Sequence, residues 1–173
     1  CDPYAPALEL GDRGFIIPRV FDEGYIGALL ELCKDNHVGT IISISDLELP
    51  ILARNKTLFA EEAIQVVISD PEAVDICTDK YRTYEFLIQN GFRTPKTYIR
   101  LNDVLQDLKT GVISFPLMVK PRSGSASQGL TYVKDMTELK QEWELDRRGE
   151  DIIQEYVGNE HYVLNIFSDK NSN

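Results

Sequence analysis

The chain has 173 residues, 28 acidic and 18 basic side chains, a formal net charge of −10 and 43% apolar residues. That apolar share can build a core in one large or two small domains. No run approaches the ~18 apolar residues of a membrane span, and no charged-then-apolar signal segment opens the chain.

Charge and cysteine placement narrow the class further. Residues 1–78 hold 14 acidic and 5 basic side chains, whereas residues 79–173 hold 14 and 13. An acidic, aromatic-poor first half argues against a nucleic-acid surface. The cations gather in the second half, where an anionic ligand would need them. Three isolated cysteines, Cys1, Cys33 and Cys77, lack any C-x-x-C spacing. They favour a reducing, cytoplasmic setting and argue against structural zinc or a disulfide framework. Cys33 and Cys77 fall among helical apolar positions and read as small core residues.

In chain order, the first half alternates helix and strand. Ile26, Leu29, Leu30 and Cys33 share one helical face, with Asp22 as N-cap. Thr40–Ile44 is a β-branched run suited to a buried parallel strand. Residues 47–62 carry helical patches around Leu52 and Phe59. Ile64–Ile68 is a second buried-strand candidate. Asp70-Pro71 opens another helix, with the cap at Asp70 and proline at the first helical position. Alternation of this kind predicts a parallel sheet covered by helices. Such layers usually begin with a strand, so the first β-α unit is expected to be missing ahead of Cys1.

The character changes near residues 78–80. Asp79 to Asn90 reads as a helix with Tyr81, Tyr84, Leu87 and Ile88 on its apolar face, and Gly91 sits where a left-handed residue ends it. Thr94-Pro95 forces extension into a strand at 96–99. Asn102 or Asp103 caps a helix that stops near Gly111. Strands are expected before Lys120 and at 130–133, and Asp135 to Arg148 forms a helix carrying the only tryptophan, Trp143. Residues 151–156 and 161–168 read as two further strands. Antiparallel strands flanked by helices make the second half α+β.

One stretch carries most of the chemistry. Phe115-Pro116-Leu117-Met118-Val119 delivers Lys120 to a strand end, and Pro121 then opens a loop of small or polar residues through Gly129. Glycine and serine let backbone N–H groups converge on an anion, and Lys120 and Arg122 supply charge that a phosphate can meet. A solvated hairpin loop has the same composition. The lysine precedes the glycines and the loop leads into a strand, which excludes a Walker-type phosphate loop.

Four segments in order resemble the ATP-grasp superfamily, most closely its carbamoyl-phosphate-synthase large-subunit-like branch. They are Thr78–Leu87, Gly91–Thr97, the lysine-and-loop stretch, and Ile152–Val157 with the residues just beyond it. The resemblance implies a Rossmann-like α/β pre-ATP-grasp domain with a parallel sheet over residues 1–78. An α+β ATP-grasp N-terminal subdomain would occupy 79–173. It further implies ATP held between two α+β subdomains, with its γ-phosphate passed to a carboxylate or bicarbonate. An amine, ammonia or thiol then attacks the acyl-phosphate, and the protein's part is positioning and charge stabilisation.

By that resemblance Lys80 is the first phosphate-side cation, against the alternative of a solvated lysine in a first helical turn. Lys120 reaches the phosphates from its strand end. Ser123, Gly124, Ser125, Ser127 and Gly129 belong to the mobile loop over them. Gln154, Glu155, Tyr156 and Val157 match the hinge that clamps adenine, with backbone groups of Glu155 and Val157 on the base edge; a plain edge strand is the alternative. Glu160 is the residue expected to hold the ribose hydroxyls, with His161 in that place in a gap-free register. Acidic Mg²⁺ ligands and substrate arginines are expected outside the chain, so the segment alone is expected not to turn over. Partners implied are ATP and a small carboxylate or bicarbonate, with no nucleic acid, no membrane and a possible homo-oligomer. A nucleotide-binding regulatory module without catalysis is the alternative. A dinucleotide oxidoreductase is weakened because no G-x-G-x-x-G comes after a predicted strand.

Overall fold

The computed structural model describes residues 2, 4–124, 128–145, 149–158, 160 and 162. The chain divides into two compact units, Cys1–Thr94 with Pro121–Gly129, and Pro95–Lys120 with Leu130–Asn173.

The first unit opens with a short helix, α1 (Ala7–Leu10), and then α2 (Tyr25–Asp35). Ile26, Leu29, Leu30 and buried Cys33 of α2 meet Leu52 and Phe59 of α3 (Leu49–Glu61) and Ile64. This is the expected helical face. Its cap is not the expected one: Gly24 holds the N-cap position without a side-chain bond. The Asp22 carboxylate accepts from the Arg19 N–H at 2.8 Å and so closes the turn ahead of the helix.

Strands β1 (Thr40–Ile41) and β2 (Gln65–Val66) pair in parallel, Thr40 opposite Gln65 and Ile41 opposite Val66. The expected strand over Thr40–Ile44 is therefore cut short. Ile42 and Ile44 are 70% and 100% exposed. Ser43 explains the departure, because its hydroxyl accepts from the Ser45 N–H and donates to Glu48 Oε2 at 2.7 Å. Such local side-chain bonds compete with a strand ladder. Helix α4 (Pro71–Thr78) begins at Asp70-Pro71 as expected, but the Asp70 carboxylate pairs with Lys56 rather than capping the helix. Cys77 is exposed, not a core residue.

Helix α5 (Lys80–Gln89) is capped by Asp79, whose carboxylate accepts from the Tyr81 and Arg82 N–H groups at 2.9 and 3.0 Å. Gly91 ends it at φ +76°, a conformation that glycine adopts without a Cβ penalty. None of the expected apolar face is fully buried, and Ile88 is half exposed.

The second unit contains a four-stranded sheet in the order β3 (Thr97–Tyr98), β6 (Asp151–Glu155), β4 (Leu117–Pro121), β5 (Thr131–Val133). β3 runs antiparallel to β6, and β4 antiparallel to β5, as the α+β reading expected. Leu117 and Val119 of β4 and Ile153 of β6 pack with Val133, Val104 and Leu139 into the core, and Trp143 lies against it.

Val104 comes from α6 (Leu101–Lys109). Its N-cap is Arg100, not Asn102 or Asp103; the Asp103 carboxylate is instead paired with Arg100 Nε at 2.8 Å. Leu139 comes from α7 (Met136–Glu144), where Asp135 caps the N–H groups of Thr137 and Glu138. Glu138 reaches back to the Lys134 N–H at 2.8 Å, one residue ahead of the cap, and ties the entering chain to the first turn. Helix α7 stops at Glu144 with Leu145 as its C-cap, short of the expected end; residues 146–148 and the expected strand over 161–168, apart from Tyr162, lie outside the described residues.

Candidate functional site

In the second unit, Lys120 ends the apolar run of β4 and its side chain turns to the neighbouring strand. Lys120 Nζ donates to Gln154 Oε1 at 2.7 Å, and Gln154 Nε2 donates to Thr97 Oγ1 at 2.8 Å. Two of the residues expected to touch nucleotide, 34 positions apart, are thus brought together. Strand order makes this possible: β6 lies between β3 and β4, so one Gln154 side chain reaches both neighbours.

Glu155 is anchored twice to Lys96. Its N–H donates to the Lys96 carbonyl at 2.8 Å, and its carboxylate accepts from the Lys96 N–H at 3.1 Å. Of the backbone groups expected to meet a base edge, the Glu155 N–H is already committed to the sheet. Tyr156 packs edge-on against Tyr132, with ring centroids 5.4 Å apart and planes at 88°. Val157 is 68% exposed, and Gly158 comes next at φ +125°. Glu160 is exposed and accepts from the Tyr162 hydroxyl at 3.4 Å. His161, the other ribose candidate, lies outside the described residues.

In the first unit, the start of the glycine-rich loop is fastened to the start of α5. The Lys80 N–H donates to the Arg122 carbonyl at 3.0 Å, and Lys80 Nζ to the Gly124 carbonyl at 2.9 Å. Partial burial pushes the Lys80 ammonium below its ordinary pKa, with the neighbouring Asp79 charge opposing that shift. Arg122 does not stand ready for a phosphate as the sequence suggested. Its Nε lies 2.8 Å from both carboxylate oxygens of Asp79, and its guanidinium sits 5.5 Å from the Tyr81 ring centroid.

Burial pushes the Asp79 carboxyl upward. The Arg122 hydrogen bond and charge and the Arg82 and Tyr81 N–H groups together outweigh burial and hold it below the usual carboxylate value. Gly129 has φ +71°, and a Cβ there would come within 2.9 Å of Pro121 Cγ. Gly124 also has positive φ, whereas Ser123 lies exposed; Ser125 and Ser127 are outside the described residues.

Sequence reasoning did not single out Asp79 or Thr97. Asp79 could have been found as an acidic residue immediately before a helix-opening lysine. Thr97 carries no comparable local signal. Among the described residues, no group of three or more His, Cys, Asp or Glu side chains could hold a metal ion. A Mg²⁺ ion held by one or two carboxylates and the phosphates of a nucleotide would need no such group.

These features meet those of known proteins. Residues 77–173 match the family described as ATP-grasp domain, and residues 1–67 match the PylC-like, N-terminal domain. The chain belongs to the ATP-grasp family. It is 26% identical over 141 residues to a carbamoyl-phosphate synthase of Methanobrevibacter smithii, covering 79% of this chain and 36% of that protein. It is 31% identical over 150 residues to a formate-dependent phosphoribosylglycinamide formyltransferase of Prochlorococcus marinus, covering 84% of this chain and 36% of that protein. The chain thus spans about a third of the length of these two relatives. In fold it is similar to the biotin carboxylase domain dimer of Hydrogenobacter thermophilus 2-oxoglutarate carboxylase, solved with MgADP, ADP and bicarbonate. That match has a TM-score of 0.62 and 16% identity, and covers 87% of this chain and 36% of that one.

Proposed function

We propose that the chain is the ATP-binding portion of an ATP-dependent carboxylate–amine ligase of the carbamoyl-phosphate-synthase-like kind. Residues 1–78 would form the pre-ATP-grasp domain and 79–173 the N-terminal part of the ATP-grasp domain. The observation that carries this reading is the bond between Lys120 Nζ and Gln154 Oε1, which brings a cation to the strand that continues into Glu155–Val157. On this reading the phosphate-directed charge and the base-directed backbone belong to neighbouring strands of one sheet.

On this reading Lys120 meets the polyphosphate as a point charge. Lys80 would do so by exchanging the Gly124 carbonyl for a phosphate oxygen, and loop N–H groups around Ser123–Gly129 would complete the cradle. Adenine would be read by the Glu155 carbonyl and the Val157 N–H, since the Glu155 N–H is taken by Lys96. Tyr156 and Val157 supply apolar surface beside the base, and Glu160 is the ribose acceptor. The ligase would phosphorylate a small carboxylate or bicarbonate and join it to an amine or ammonia, in the cytoplasm, with Mg²⁺ drawn from ligands other than those described. The relatives' activities and the dimeric state of the biotin carboxylase domain support a ligase and a possible homo-oligomer.

The test is ADP release by the full-length protein with ATP, Mg²⁺ and a panel of carboxylates and bicarbonate, with and without ammonia. Acceptor-dependent ADP release is the expected result. ATP binding without turnover on any acceptor would replace the ligase with a regulatory nucleotide module. The segment by itself is expected to give no turnover in the same assay.

A further inference from the structure

Thr97 is 3% exposed, the buried polar residue in the described core, and it makes two hydrogen bonds. Its Oγ1 lies 3.0 Å from the Pro95 carbonyl and 2.8 Å from Gln154 Nε2. A carbonyl can only accept, and a hydroxyl has one proton, so that proton goes to Pro95. Thr97 Oγ1 must then accept from Gln154, which it can do only from the NH₂ end of the amide. The other end, Oε1, is thereby turned to Lys120 Nζ at 2.7 Å. The order is the same read from the ammonium, which can only donate. Flipping the amide would set NH₂ against the ammonium and leave the hydroxyl with two acceptors for one proton.

We propose that Thr97 is a positioning residue for the nucleotide site: its buried hydroxyl fixes the Gln154 amide so that Oε1 holds the Lys120 ammonium. The inference rests on the reading that Lys120 meets the nucleotide phosphates. The Gln154 amide is neutral, so this contact orients the ammonium without adding an opposite charge. Thr97 acts on Lys120 through Gln154, and in the sheet register it stands directly opposite that residue.

The experiment uses the full-length protein carrying T97V, T97S and K120A, and T97V with K120A. The readouts are the Gln154 side-chain amide resonances and the affinity for ATP with Mg²⁺. T97V is expected to shift the Gln154 amide signals and weaken ATP binding by about threefold to tenfold, the range of one hydrogen bond. T97S, which keeps the hydroxyl, is expected to retain both, and T97V is expected to have no further effect in the K120A background. An unmoved Gln154 amide overturns the proposal, as does an equal loss of affinity with and without Lys120. If the amide shifts but K120A binds ATP like the wild type, the hydrogen-bond chain stands and the nucleotide reading of Lys120 is what fails. Should T97V not fold, T97A read for the same two signals decides the matter.

Discussion

Asp79 and Arg122, 43 positions apart, are joined by a forked ion pair: Arg122 Nε is 2.8 Å from both carboxylate oxygens, and a terminal guanidinium nitrogen is 2.7 Å from Oδ2. The same carboxylate caps α5, so one side chain ties the helix that starts at Lys80 to the root of the glycine-rich loop.

That double duty separates two substitutions. Asparagine is itself a good N-cap, so Asp79→Asn removes the charge pair and keeps the cap, whereas Asp79→Ala removes both. D79A is expected to lose about 2 kcal/mol or more in urea unfolding, and D79N less. The wild-type carboxyl is held below its ordinary value, so its contribution is complete above that value and disappears as pH falls through the lowered one. Stability measured down the acid range should therefore fall less steeply in D79N. Parallel acid limbs would contradict the pairing.

Gly129 is committed to glycine on two counts, a left-handed backbone and a Cβ position 2.9 Å from a rigid proline ring. Gly129→Ala is expected to destabilise by on the order of 1–2 kcal/mol. Adding Pro121→Ala should recover the steric share but not the backbone share. Thermal melts of the single and double variants measure both.

Lys120→Ala in the full-length protein is expected to weaken ATP binding by about 1.5–3 kcal/mol, the range for a hydrogen bond to a charged group. That corresponds to roughly 10- to 150-fold in Kd. An unchanged calorimetric titration would remove Lys120 from the site.

Tyr25 is 4% exposed, and its phenol is pushed up to about 12, first by burial and then by the Glu48 charge and hydrogen bond. A raised folded value means that stability is intact below pH 10, the unfolded value, and drains between about pH 10 and 12. Tyr25→Phe should remove that part of the alkaline loss. The comparison needs only unfolding curves of the two proteins at matched pH.

Ala63 sits at φ +59°, where an L side chain is strained. Ala63→Gly is expected to be neutral or to stabilise by up to about 1 kcal/mol, although it loosens the unfolded chain. A clear loss of stability would mean that this backbone is not left-handed in solution.

Much of this was readable where the signal is local. The helix starts at Asp79 and Asp135, the left-handed stop at Gly91, the helix end near Gly111 and the apolar face of α2 each rest on residues within a turn or two of one another. Asp22 and Asp103 show the limit, because each stood at a plausible cap position yet found a nearer partner, the Arg19 N–H and the Arg100 guanidinium. Ile42 and Ile44 show it for strands: a β-branched run favours extended backbone, but the neighbours available decide burial.

By its own letters the chain determined that a lysine ends an apolar strand beside a glycine-rich loop, and that an acidic α/β half precedes an α+β half. Those are matters of composition and short-range pattern. Only the tertiary structure decided that Lys120 meets Gln154, that Gln154 in turn meets Thr97 across 57 positions, and that Arg122 is held by Asp79 instead of awaiting a phosphate. The reason is that a hydrogen bond needs its partners within about 3 Å. Which distant residues come that close depends on strand order and loop path, which local residue preferences do not specify.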